Sequence, residues 1–88
     1  MIIGKVVGSV VATRKNDKLV GSKLLIVETH RNMGDIKRLV AIDNVGAGIG
    51  EIVLVATGSA ARIGCNLENA PVDAAIVGIV DNGIGMEE

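Results

Sequence analysis

No phenylalanine, tyrosine or tryptophan occurs in the 88 residues of this chain. That removes the aromatic platforms on which single-stranded nucleic-acid binders stack bases, and it leaves the core to aliphatic side chains. Cys65 is the single cysteine, so no disulfide forms within the chain. Cys65 reads as a small filler or an unreactive thiol, and His30, the single histidine, as a solvent-facing side chain in a polar loop. Those two cannot complete a tetrahedral zinc site without several carboxylates, and Asp43, Glu51, Asp73 and Asp81 lack ligand-like spacing. No metal, cofactor or catalytic residue is therefore expected. Neither sign of charge dominates: nine basic residues face ten acidic ones, with no polybasic run, so neither a membrane surface nor a polyanion is marked as a partner. No apolar run approaches the ~20 residues that span a bilayer. The opening MIIGKVVG lacks the charged and long apolar regions of a secretory signal. A soluble cytoplasmic protein is the expectation.

What is present is aliphatic and glycine-rich. Hydrophobic residues make up 49% of the chain, and 12 residues are glycine, close to twice the usual share of about 7%. The length suits one domain, residues 1–88. A chain this short buries only about 60–65% of its unfolded surface, and association is a common remedy. Alternation predicts strands over Ile2–Thr13, Lys23–Thr29, Arg38–Val45, Glu51–Thr57 and Ala74–Val80. In the first, Val6, Gly8, Val10 and Ala12 share one face, and Gly4 and Gly8 suggest bends or bulges. Ser59 is placed to cap a short helical turn over Ala60–Ile63. Five short strands with Gly-rich turns and no helix alternation predict an all-β fold, a small closed barrel or sandwich.

The segment from Val40 to Arg62 is the most specific. Gly46, Gly48 and Gly50 alternate ahead of Glu51 and five apolar residues. Glycine at alternate positions invites close approach to the backbone. A phosphate cradle would need a helix after the glycines, whereas EIVLVA reads as a strand, and no Lys-Ser/Thr pair follows. Packing against a neighbouring chain is the better account. Arg62, after small residues, has room to form a bidentate pair with Asp43 or Glu51 of its own or a neighbouring subunit. A nucleic-acid-binding module is the alternative that the barrel itself raises.

Four blocks, GKVVGSVVAT (Gly4–Thr13), LVGSKLLIV (Leu19–Val27), VAIDNVGAGIGEIVLVATGSAAR (Val40–Arg62) and PVDAAIVGIVD (Pro71–Asp81), resemble the vertex proteins of bacterial microcompartment shells, the EutN/CcmL family. The resemblance implies a small five-stranded β-barrel, like those that bind oligonucleotides, that assembles as a pentamer and fills the five-fold vertices of a shell in the cytoplasm. The facets of that shell are hexameric tiles. It implies a structural task without catalysis. It also implies that Asp43, Gly46, Gly48, Gly50, Glu51, Ser59, Ala60, Ala61 and Arg62 lie at subunit contacts or near the five-fold axis.

Overall fold

The computed structural model describes residues 1–12, 17–19, 21–58, 61 and 73–81. Five strands carry the fold: β1 (Ile2–Val10), β2 (Lys23–Thr29), β3 (Arg38–Asp43), β4 (Ile52–Thr57) and β5 (Ala74–Ile79). They close into a barrel in the order β1-β2-β3-β5-β4, so no strand is left as an open edge. All pairings are antiparallel except β3 with β5, which is parallel. The expected all-β barrel is what forms. Of the expected helical turn over 60–63, Ala61 is helical, and the other three residues lie outside the described ones.

The strands are β-branched and aliphatic because each must fill a curved sheet with no ring side chains. Val6, Leu25, Val27, Ala41, Ala47, Val53, Val55, Ala74 and Ile76 form the inner core, with Ile2, Leu39 and Ile79 packed against it. Full burial of one Val, Leu or Ile side chain stabilises by about 1.5–3 kcal/mol, so this cluster dominates the fold's stability. A second, smaller cluster sits on the outside. Leu24, Ile42, Ala75 and Ala56 pair one to the next across β2, β3, β5 and β4. Paired residues share a face, and this outer row is covered by Leu19 and Ala61.

Two register shifts bend the sheet enough to close. In β1 the ladder steps from Val6↔Val27 to Gly8↔Ile26, leaving Val7 without a partner. Such a bulge reverses which residues face inward beyond it. Val6 is therefore buried in the inner core, whereas Gly8 and Val10 pair with Ile26 and Leu24 on the outer side. This corrects the single face expected for Val6, Gly8 and Val10. A bulge cannot be seen in alternation that continues in apolar residues on both sides. The second shift lies between Leu54 and Val55 of β4 against β5.

Gly4 has a different role from the bend or bulge expected of it. It pairs with Thr29 of β2 and Val53 of β4. A Cβ there would lie 2.5 Å from Val27 Cγ1 and 2.8 Å from the Glu28 carbonyl oxygen. Here the barrel wall comes too close for any side chain.

Candidate assembly surface

β3 ends at Asp43, two residues short of the expected Val45, because the Asp43 carboxylate turns the chain. Its Oδ1 accepts hydrogen bonds from the backbone N–H groups of Val45, Gly46 and Ala47 at 3.1, 3.1 and 3.2 Å. Its Oδ2 lies 3.7 Å from Lys23 Nζ, the residue opposite it on β2. Lys23 Nζ also donates to the Ala47 carbonyl at 2.9 Å. The Asp43 side chain is 3% exposed and that of Lys23 is 55% exposed. An ion pair with one partner so wet contributes little. The three N–H bonds to a buried carboxylate oxygen do most of the holding. Ala47, drawn in by this clamp, has no exposed surface and joins the inner core.

The rest of the loop is pinned at Glu51. Glu51 Oε1 accepts from the Gly48 N–H at 2.6 Å, and the Glu51 N–H donates to the Gly48 carbonyl at 3.2 Å. The Gly50 N–H donates to the Val6 carbonyl at 2.8 Å, and the Val6 N–H donates to the Glu51 carbonyl at 3.0 Å. The loop is thus tied to β1 next to its bulge. Two acids of the chain itself already occupy the amides that a phosphate would need, which gives a geometric reason against a phosphate cradle.

The glycines are required for different reasons. Gly46 and Gly50 have φ of 81° and 94°, a region that side chains adopt only at a cost. Among the described residues, apart from the chain neighbours of each, no atom lies within 4 Å of a Cβ built at either, so their own conformation demands glycine. At Gly48 a Cβ would meet Glu51 Oε1 at 3.3 Å. Between these glycines the loop presents Ile49, 70% exposed, with Val45 partly exposed nearby.

The remaining residues sort plainly. Ala61 has no exposed surface and packs on the outer row of its own barrel. Ser59, Ala60, Arg62 and Cys65 lie outside the described residues, so the Arg62 pairing falls there too. His30 is not the solvent-facing side chain expected. Its Nδ1 accepts from the Asn32 N–H at 3.1 Å and caps the short turn Arg31–Met33, while Nε2 is buried with no hydrogen-bond partner among the described residues. A polar sequence around it concealed this local cap. Among the described residues no group of three or more His, Cys, Asp or Glu is arranged to hold a metal ion.

The family model described as "Ethanolamine utilisation protein EutN/carboxysome" matches residues 1–81. The chain belongs to the EutN/CcmL family. It is 49% identical over 83 residues to the bacterial microcompartment shell vertex protein GrpN of Rhodospirillum rubrum (strain F11), covering 92% of this chain and 93% of that protein. It is also 49% identical over 84 residues to the carboxysome shell vertex protein CcmL of Nostoc sp. (strain PCC 7120), covering 92% and 83%. The solved structure of the Nostoc CcmL superposes with a TM-score of 0.88 at 46% identity, over 98% of this chain and 95% of that one. The pentameric shell protein GrpN from R. rubrum superposes with a TM-score of 0.83 at 48% identity, over 93% and 95%.

Within this EutN/CcmL barrel, sequence reasoning singled out the loop and both of its acids, but as partners for Arg62 and not as clamps on the loop's own backbone. It missed Lys23 and Ala47 as parts of that clamp. Asp43-Asn44-Val45-Gly46 carries a readable turn signal, an acid placed to accept amides a few residues on. Lys23 carries none, because its partner Ala47 is 24 residues away in sequence.

Proposed function

We propose that this chain is a structural protein that forms pentamers and caps the five-fold vertices of a bacterial microcompartment shell in the cytoplasm, beside hexameric shell proteins. It has no catalytic task of its own, and residues 1–88 act as one vertex domain. The observation that carries this reading is the 49% identity to a shell vertex protein across 92% of the chain. The geometry supports it. Asp43 and one carboxylate oxygen of Glu51 are held by the chain itself, and an apolar residue, Ile49, is left outside. A five-fold ring supplies the curvature that flat six-fold sheets lack, so the mechanism is closure of the shell. Cyclic rings use heterologous contacts, in which one patch meets a different patch and the rotation closes.

In this reading Gly46, Gly48, Gly50 and Glu51 form the subunit-facing loop, Asp43 holds that loop from within, and Ser59, Ala60, Ala61 and Arg62 are further contact residues. The nucleic-acid alternative draws no support from a chain with no aromatic residue and a net charge of −1. Native mass spectrometry across concentration tests the reading. A dominant five-subunit ring is expected, and a monomer at every concentration overturns it. Co-expression with a hexameric shell protein should then yield closed shells by electron microscopy.

A further inference from the structure

A heterologous contact needs two unlike surfaces on each protomer. One is the glycine loop, with Ile49 at 70% exposure. A second apolar surface lies where β1, β2 and β4 meet the polar loop after Thr29. There a groove of about 220 Å³ is lined by Ile36, Ile52, Thr29 and His30, with Lys5, Arg31 and Glu28 as its charged lining residues. Ile36 is 59% exposed beside it. The groove adjoins a second hollow at Met1 and Met33, and the two share Thr29. An apolar recess bordered by charge has the shape to receive an apolar side chain.

Charge identifies the occupant. Lys5 is exposed and has no ion pair among the described residues, whereas Glu28 is already paired with Arg38 at 3.1 Å. The surface that docks here should therefore present an aliphatic knob with an acid close by. The glycine loop does so: Ile49 is followed two residues later by the exposed Glu51. Gly48 and Gly50 flank Ile49 without side chains of their own, so the knob can enter a groove unobstructed. We propose that in the ring Ile49 of one protomer seats in the groove at Ile36 and Ile52 of the next, with Glu51 of the first facing Lys5 of the second. The contact rests on the pentameric reading above, and it specifies the two halves that ring closure joins.

Cross-linking tests it. In a Cys65→Ser background, Ile49→Cys and Ile36→Cys together should give, on mild oxidation, a ladder of covalent oligomers up to five on a non-reducing denaturing gel. Neither single variant should give that ladder. Rings of the double variant seen by native mass spectrometry without a ladder overturn the contact and leave the pentamer standing. Absence of rings in the parent chain overturns both. If the double-cysteine variant forms no rings, the exposed substitution Ile49→Asp decides. Removing an anchor seated in a groove should raise the concentration at which rings half-dissociate by about tenfold or more, with the folded barrel unchanged by circular dichroism. An unchanged midpoint overturns the proposal.

Discussion

At the scale of single residues, the strongest constraints come from atoms with no room and atoms with several partners. Gly4 is the first kind. A methyl group there collides with Val27 and with the Glu28 carbonyl, at 2.5 and 2.8 Å. Gly4→Ala should destabilise the barrel by about 1–3 kcal/mol in urea unfolding, as overpacking of a tight interior does. Asp43 is the second kind. Removing its carboxylate strips three amides of their acceptor, one of them the N–H of buried Ala47. Asp43→Ala should cost about 1–3 kcal/mol, whereas Lys23→Ala should cost less than about 1 kcal/mol, because the lysine is largely in water. Equal losses for the two would show that the ion pair, and not the amide bonds, holds the loop.

At the scale of elements, the loop between β3 and β4 joins the core as well as facing outward. Ala47 packs into the inner core, and the same short stretch carries Ile49 outside. A charge at Ala47 would be buried without a partner. Ala47→Asp should therefore destabilise by about 3 kcal/mol or more, read as a loss of cooperative thermal unfolding at ordinary temperature. A wild-type melting curve would mean that the loop can lift from the core without disturbing the fold. β1 shows how an element departs from its sequence pattern. The bulge at Val7 shifts the alternation, so that Val6 lines the core before it and Gly8 and Val10 face outward after it. One strand thereby serves both the closed wall and the outer row.

At the scale of the whole molecule, the barrel is small and aliphatic, and assembly should supply part of its stability. A partner that binds only the folded state raises the melting temperature by mass action. The Tm of the parent chain should therefore rise with protein concentration. That rise should flatten in Ile49→Asp, if its only defect is at the contact between protomers. A Tm independent of concentration, in a sample that native mass spectrometry shows to be ring, would mean that ring formation contributes nothing to folding stability.

The sequence by itself determined the class of fold and the family. Four of the five strands begin where alternation of aliphatic residues begins, and β2 matches at both ends, because short strands are encoded locally by β-branched residues at a period of two. It also marked the glycine loop and its two acids, since glycines and turn-forming acids act within a few residues of themselves. Only the tertiary structure decided the rest. The bulge at Val7 depends on where β2 is paired. The need for glycine at position 4 depends on how closely β2 passes it, and Lys23 meets Ala47 only when β2 and β3 lie side by side. Ala61 and Leu24, far apart in sequence, share an outer cluster only once the barrel closes. Alternation records which residues can face inward; which of them do is decided by the neighbours that closure brings.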